Sequence, residues 1–290
     1  MIFCRGLQNP EAPVALPDGS WLCVEGASDR GCITHISANG AHRRVVAATG
    51  RPNGLAVDAA GSIWVAESKV PSLLRVAPDG SVEVIATGCD GEAFLFPNDL
   101  CLGPDGALYM TDSGVHIDTF APGGNIREDY RDLSYDGRIY RIDANSGAVR
   151  KLDSRLKFAN GIAFGPDDHL YVNETLTGTI YRYAWRADGA IGARTVFGNV
   201  IDPAAPAGWK GPDGMAFGAD GNLYVAVFAQ QDVTVLNRHG TVVNRLRTAG
   251  RLPTNCAFAL HGQQQLYVTE YELGQIEVFD IGSDGAPLHA

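Results

Sequence analysis

The sequence has no excess of basic residues and no long apolar run, and each absence removes a class of function. The 290-residue chain carries a formal net charge of −10 and a pI near 5.1. Nucleic-acid binding requires a basic face to meet phosphate, so no nucleic-acid partner is expected. No stretch approaches about 18 apolar residues, so no membrane span is expected.

Paired cysteines, a secretion signal and common nucleophile motifs are also missing. The six cysteines include no CxxC pair, and a large β core does not need a disulfide framework. The N-terminal MIFCRGLQNPEAP lacks the apolar core of a signal peptide, which makes the cytoplasm the expected location. The seven histidines form no HxH or HExxH pattern, and no GxSxG elbow indicates serine hydrolysis.

What the chain does contain is one short motif repeated six times. Each copy reads as a polar anchor, an apolar strand, a tight turn rich in Gly, Pro and Asp, and a second apolar strand. The anchors, 42 to 62 residues apart, are Glu11, Asn53, Asn98, Asn160, Asp213 and Asn255. Period-2 alternation and four strands per roughly 45 residues predict an all-β, six-bladed β-propeller with four-stranded blades. We expect residues 1–290 to form a single domain.

The N-terminal segment predicts how the propeller closes. The last copy contains three clear strands, and the segment MIFCRGL precedes the first copy as a spare strand. We therefore expect this segment to be the outer strand of the last blade, because closure removes open sheet edges. A strand formed by residues 286–289 is the alternative.

The topology also predicts where the site lies. The first strand of each blade lines the channel, so the six anchors should form a ring around one mouth. The acids that end the second strands should face the same side, further out; they are Glu25, Glu67, Asp112, Glu174 and Glu270. Two insertions, residues 113–137 and 200–212 with Trp209, should wall or cover this mouth.

The ring of anchors combines two carboxylates with four amides. Oxygen donors of this kind suit Ca²⁺, Mg²⁺ or Mn²⁺ better than Zn²⁺. Turn chemistry explains Asn53 and Asn255 equally well, since Asn often caps turns. It explains Glu11 and Asp213 less well, because two acids among amides repel unless a cation lies between them. We interpret the outer acids as backbone caps or solvated residues. For Asp112 the sequence leaves two roles, a backbone cap or a functional group.

At these residues the chain resembles the regucalcin/gluconolactonase/luciferin-regenerating-enzyme family of six-bladed propellers. The resemblance covers nearly the whole chain, and its specific part is Glu11 of PEAPV, Asn98 of FPNDL, Asn160 of ANGIAF and Asp213 of GPDGMAF. It implies that Glu11, Asn160 and Asp213 ligate one divalent cation and that Asn98 binds substrate or joins the metal. Ca²⁺ is the first expectation, with Mn²⁺, Mg²⁺, Zn²⁺ and Fe²⁺ as alternatives.

The resemblance implies a metal-dependent hydrolase that opens a lactone with metal-activated water. We assign Asp213 as general base and Asn98 as the group that orients substrate or water. Sugar-lactone members tend to carry an arginine where this chain has Phe96, so a more apolar lactone or ester is also open. The expected substrate-binding residues are Asn98, Phe96, Asp112 and Trp209. The competing hypotheses are a non-catalytic ligand- or partner-binding propeller and a metal-free or lyase-type propeller enzyme; the oligomeric state is open.

Overall fold

Six small antiparallel sheets make up nearly the whole protein. The structure is a computed structural model and describes residues 1–289. Each of the six sheets has four strands in up-and-down order, and one two-stranded hairpin lies beside them. The sheets follow one another along the chain, which is the arrangement of a six-bladed β-propeller. The predicted fold class is therefore confirmed.

The first three blades follow the opening strand β1 (Ile2–Arg5). Blade 1 consists of β2 (Pro10–Ala15), β3 (Trp21–Glu25), β4 (Cys32–Ile36) and β5 (Arg43–Ala48). Blade 2 consists of β6 (Pro52–Val57), β7 (Ile63–Glu67), β8 (Ser72–Val76) and β9 (Val82–Ala86). The hairpin of β10 (Gly88–Cys89) and β11 (Glu92–Ala93) leads to blade 3. Blade 3 consists of β12 (Pro97–Leu102), β13 (Leu108–Asp112), β14 (Gly137–Ile142) and β15 (Val149–Leu156).

The second half of the chain repeats this order. Blade 4 consists of β16 (Ala159–Phe164), β17 (His169–Glu174), β18 (Thr179–Ala184) and β19 (Thr195–Asn199). Blade 5 consists of β20 (Gly211–Phe217), β21 (Leu223–Phe228), β22 (Asp232–Leu236) and β23 (Val242–Arg247). Blade 6 consists of β24 (Pro253–Phe258), β25 (Gln265–Glu270) and β26 (Gln275–Asp280).

Blade 6 is completed by the N-terminal strand, as predicted. Strand β1 pairs antiparallel with β26, with Cys4 opposite Ile276, and the Leu7 amide donates to the Gly274 carbonyl at 2.9 Å. The C-terminal alternative, residues 286–289, forms no strand, and the residue before it, Gly285, makes an isolated bridge with Gly218. The closing strand therefore joins the two ends of the chain in one sheet, which leaves no unpaired edge between the first and last blades.

The acid in the turn between the first two strands of several blades is hydrogen-bonded to an aromatic residue four or six positions later. Asp167 Oδ2 accepts from the Tyr171 hydroxyl at 2.8 Å, and Asp220 Oδ2 accepts from the Tyr224 hydroxyl at 3.0 Å. In blade 2 the Trp64 indole donates to Asp58 at 2.9 Å. The turn acid also accepts backbone N–H groups, as Asp220 does from Asn222. This double use explains why an acid in the turn and an aromatic residue in the following strand recur in the repeat.

The apolar core lies between neighbouring blades. One cluster joins Val24 and Ile33 of blade 1 to Val65 and Leu74 of blade 2, all nearly or fully buried. The second strands are buried along their whole length, whereas the outer strands are largely exposed. All six cysteines are free thiols in the structure. Face-to-face packing of blades, rather than covalent links, therefore stabilises the ring.

Within residues 1–289, helical structure is confined to the first insertion. It contains the single-turn helix α1 (Ile117–Phe120) and two 3₁₀ turns, Pro122–Gly124 and Tyr130–Asp132. Among the described residues, no helix has the length and apolar character needed to cross a bilayer.

Candidate active site

Every anchor lies beside an irregularity in the pairing of the first strand with the second. In blade 1 the register shifts between Glu11 and Val14, and in blade 4 between Ala159 and Ile162. The other four blades shift at the same place. A β-bulge bends the strand and re-aims side chains. The repeated bulge therefore accompanies each anchor at the same end of the channel-lining strands.

Three buried carboxylates, rather than the two predicted, act on one another electrostatically at this mouth. They belong to Glu11, Asp99 and Asp213, which are 9%, 7% and 8% exposed. Burial raises the pKa of Glu11 well above its usual range, and the charges of Asp213 and Asp99 raise it further. Burial and the charge of Asp99 likewise raise the pKa of Asp213. Buried like charges repel, so this cluster favours bound protons or a cation.

Asp99 is the site residue that the sequence reasoning missed. It follows the anchor Asn98, and burial raises its pKa to about 7 even though the backbone and the Asn255 amide donate to it. A signal was present in the repeat, because the residue after the anchor is uncharged in the other five blades. Those residues are Ala12, Gly54, Gly161, Gly214 and Cys256. The position after the anchor holds a small residue in the other blades, so an acid there in blade 3 departs from the structural repeat.

Glycine after the anchor allows the inner strands to approach closely. A Cβ on Gly214 would lie 1.9 Å from Asn255 Cγ, and one on Gly161 would lie 2.3 Å from the Asp213 carbonyl oxygen. Both distances are far below van der Waals contact. The glycine that follows each of these two anchors therefore allows the channel to be narrow.

The Asn98 side chain is held at both ends. Its Oδ1 accepts from Asn53 Nδ2 at 3.1 Å, and its Nδ2 donates to Ser113 Oγ at 2.9 Å. Ser113 in turn donates to the Ala159 carbonyl at 3.0 Å, which links blade 3 to blade 4. Asn53 therefore helps to fix the orientation of the Asn98 side chain.

Asn160 presents an oxygen that has no protein partner. Its Nδ2 donates to Thr175 Oγ1 at 3.3 Å, whereas its Oδ1 is buried and accepts nothing. The Asn160 side chain also lowers the pKa of Asp213, which places the two groups side by side. A buried acceptor without a donor loses about 1–3 kcal/mol, so this oxygen is available to a ligand.

The chemistry of this donor set fits a divalent cation. Within residues 1–289 no three side chains from His, Cys, Asp and Glu alone form a metal-binding group. The set consists instead of the Glu11 and Asp213 carboxylates and the free Oδ1 of Asn160. Glu11 accepts only a long hydrogen bond, 3.4 Å from Asn255 Nδ2. Such oxygens match hard cations, and a positive charge there would relieve the repulsion among the acids.

The outer acids lie on the mouth side, as predicted, and each caps backbone. Glu25, Asp112 and Glu174 pair with the residue just before the anchor of their own blade. Asp112 is fully buried, and its oxygens accept the backbone N–H groups of Leu95 at 2.7 Å, Phe96 at 3.1 Å and Gly114 at 2.8 Å. Both oxygens are occupied, which favours the cap that the sequence left open over contact with a substrate.

The two insertions pack against each other through aromatic rings. Trp209 lies 4.9 Å from Phe120, 5.1 Å from Tyr130 and 5.2 Å from Phe158, measured between ring centroids. Phe96 joins this cluster edge-on to Phe158 at 5.8 Å. Phe158 has a left-handed backbone with φ of 70°, unusual for a bulky residue. The insertions form one apolar wall that includes Phe96 and Trp209.

The fold and the ring of acids and amides define a class, six-bladed propellers with an oxygen-lined channel mouth. Residues 77–272 match the SMP-30/Gluconolactonase/LRE-like region, and the chain belongs to this family. This match confirms the resemblance drawn from the anchors.

Individual relatives cover most of the chain. The gluconolactonase of Zymomonas mobilis is 26% identical over 281 residues, which span 90% of this chain and 76% of that protein. A gluconolactonase structure from Xanthomonas campestris superposes with a TM-score of 0.79 at 23% identity, covering 98% of this chain and 89% of that one. The calcium-binding protein regucalcin from Agrobacterium tumefaciens gives a TM-score of 0.79 at 19% identity, covering 100% and 98%. At these identities the two structures establish the shared fold.

Proposed function

We propose that this protein hydrolyses lactones with the help of one divalent cation held by Glu11, Asn160 and Asp213. The observation that carries the proposal is the unpartnered Oδ1 of Asn160 beside buried carboxylates that repel one another. Membership of the family and the similarity to a gluconolactonase support a lactone as substrate. Ca²⁺ is the first candidate, because the donors are all oxygen.

The chain's own groups supply binding, orientation and proton transfer. Glu11, Asn160 and Asp213 would hold the cation, which would supply Lewis-acid polarisation of the ester carbonyl. Asp213 accepts a proton from the water whose oxygen attacks the carbonyl carbon. The ring C–O bond then breaks, and the same proton passes to the departing alkoxide oxygen, giving a hydroxy acid.

Asn98 and the surrounding wall serve positioning. The amide of Asn98 is fixed by Asn53 and Ser113, so it can orient substrate or water without losing side-chain entropy on binding. Phe96 and Trp209 belong to the aromatic cluster of the two insertions and give the substrate an apolar surface on that side.

A lactone panel tests the proposal directly. Protein stripped with EDTA and then reloaded with Ca²⁺, Mn²⁺, Mg²⁺, Zn²⁺ or Fe²⁺ is assayed by acid release with a pH indicator. We expect hydrolysis of at least one lactone only after reloading. Divalent-ion binding without turnover of any lactone would favour a ligand-binding propeller, and turnover that survives EDTA would favour a metal-free enzyme.

A further inference from the structure

Three blades carry serine or threonine directly after the outer acid that ends the second strand. These residues are Ser68, Ser113 and Thr175, and each is at most 1% exposed. In blades 3 and 4 the hydroxyl oxygen accepts from the anchor amide of its own blade, from Asn98 Nδ2 at 2.9 Å and from Asn160 Nδ2 at 3.3 Å. This slot of the repeat therefore holds a buried polar group against two members of the ring of anchors.

The Thr175 hydroxyl joins blade 4 to blade 5. Its Oγ1 donates its single proton to the Pro212 carbonyl at 2.8 Å, and Pro212 directly precedes the anchor Asp213. Because a hydroxyl has only one proton to donate, Thr175 Oγ1 can only accept from Asn160. The Asn160 amide must therefore present Nδ2 to Thr175. This leaves Oδ1 turned away from Thr175 and, within residues 1–289, without a donor.

A second acceptor also lies beside the Asn160 amide. A hydrogen bond from the Asn160 side chain lowers the pKa of Asp213. Asp213 is itself a proposed cation ligand, so a bound cation would compete with the amide for this carboxylate. Thr175 Oγ1 keeps its acceptor lone pairs whether or not a cation is present. Thr175 is therefore the acceptor that fixes the amide when the site is loaded.

We infer that Thr175 is a positioning residue of the candidate cation site, whose hydroxyl keeps Asn160 Oδ1 available to the cation. This inference rests on the proposed cation site. Loss of the hydroxyl would leave two buried groups, Asn160 Nδ2 and the Pro212 carbonyl, without their partner. The amide could then rotate and present N–H donors, which repel a cation, in place of its oxygen. Groups that orient metal ligands from behind in this way are typically worth about 10- to 100-fold in metal affinity.

The first test compares Ca²⁺ binding by wild type, Thr175→Val and Thr175→Ser in titration calorimetry. Valine has the shape of threonine without the hydroxyl, and serine keeps the hydroxyl. We expect Thr175→Val to weaken Ca²⁺ binding by about 10- to 100-fold and Thr175→Ser to stay within about threefold of wild type. An unchanged affinity in Thr175→Val would overturn the inference. So would an equal loss in Thr175→Ser, because the missing methyl group and not the hydroxyl would then matter.

Terbium luminescence supplies a readout that a general loss of stability would not change. Tb³⁺ takes oxygen ligands as Ca²⁺ does, and its decay rates in H₂O and D₂O together report how many water molecules are bound to the ion. At saturating Tb³⁺ we expect Thr175→Val to show about one more bound water than wild type, because water replaces the Asn160 oxygen, and Thr175→Ser to match wild type. Equal hydration of the ion in Thr175→Val and wild type would contradict the inference.

Ser68 provides a matched control from the same slot of blade 2. Its hydroxyl donates to the Arg51 carbonyl at 2.9 Å and accepts from Arg51 Nη1 at 3.3 Å, and these contacts lie outside the ring of anchors. Ser68→Ala should leave the Ca²⁺ affinity and the Tb³⁺ hydration unchanged. A loss of Ca²⁺ affinity in Ser68→Ala equal to that in Thr175→Val would overturn the inference, since any buried hydroxyl of this slot would then have the same effect.

The same measurements separate the inference from the proposed function. Wild type that binds neither Ca²⁺ nor Tb³⁺ would refute the cation site and, with it, the role of Thr175. Wild type that binds Ca²⁺ and hydrolyses a lactone, with Thr175→Val unchanged in affinity and hydration, would refute only the role of Thr175. Ca²⁺ binding that depends on the Thr175 hydroxyl, without turnover of any lactone, would refute the hydrolase and support the positioning role.

Discussion

The mouth of the propeller carries two sets of buried acids that differ in what their oxygens touch. Asp112 and Glu270, in the outer set, accept two or more backbone N–H groups each. In the inner set, Glu11 accepts one long hydrogen bond from Asn255 Nδ2, and Asp213 interacts with the Asn160 side chain and the Gly214 N–H. Burial raises the pKa of both acids, and nearby carboxylates raise it further, Asp213 and Asp99 for Glu11 and Asp99 for Asp213. Two acids that are equally buried can therefore have different roles. An acid whose oxygens accept backbone N–H groups stabilises the blade, and an acid with oxygens left free is available to bind a ligand.

The largest expected effect is on turnover after loss of an inner acid. Asp213→Ala should lower kcat for a lactone by two to four orders of magnitude, because the proposed general base and one cation ligand are both removed. Its melting temperature without added metal should equal or exceed that of wild type, since a repelling buried charge is gone. Turnover like that of wild type would remove Asp213 from the mechanism.

Divalent ions should stabilise the protein through the inner set. At 100 times the dissociation constant, Ca²⁺ should add about 2.7 kcal/mol to the free energy of unfolding, which thermal melts before and after EDTA would reveal. Asp112→Ala should keep the Ca²⁺ shift and Glu11→Ala should lose it. A shift retained in Glu11→Ala would place the ion elsewhere.

Substitution of an outer acid should lower the stability of the folded protein. Asp112→Asn replaces a carboxylate that accepts three backbone N–H groups and should lower the free energy of unfolding by about 2 kcal/mol. Chemical denaturation measures this loss, and kcat/KM of the folded fraction should change only a few-fold. Intact stability with abolished activity would instead support the substrate-binding role that the sequence left open for Asp112.

The last expected effect, confined to the metal-free protein, is a dependence of stability on pH. The folded-state pKa of Asp99 is raised to about 7 from an ordinary value of 3.8, so the folded state binds more protons than the unfolded state between these values. Stability with EDTA should therefore fall as pH rises from about 4 to 7. Melts across this range should show a shallower slope for Asp99→Asn, and the same slope in both proteins would contradict the burial of an ionising Asp99.

The strands, the turns and the closing strand of the propeller depend on local sequence, so the sequence alone predicts them. The anchor, the acid of the turn and its aromatic partner lie within one copy of the repeat, and the spare segment MIFCRGL complements a blade with three strands. These features predicted the six-bladed fold, the ring of anchors, the side on which the outer acids lie and the family. They depend on contacts between residues close in sequence or on the simple count of strands.

Only the tertiary structure decided which side chains meet across blades. Asp99 joins Glu11 and Asp213 although the three lie in blades 3, 1 and 5, and Arg51 lies over Phe96 of the next blade. Closure of the ring determines which side chains of different blades become neighbours, and the sequence of a single blade does not predict these contacts. The same closure determines which acids find backbone donors and which are left facing one another around the channel.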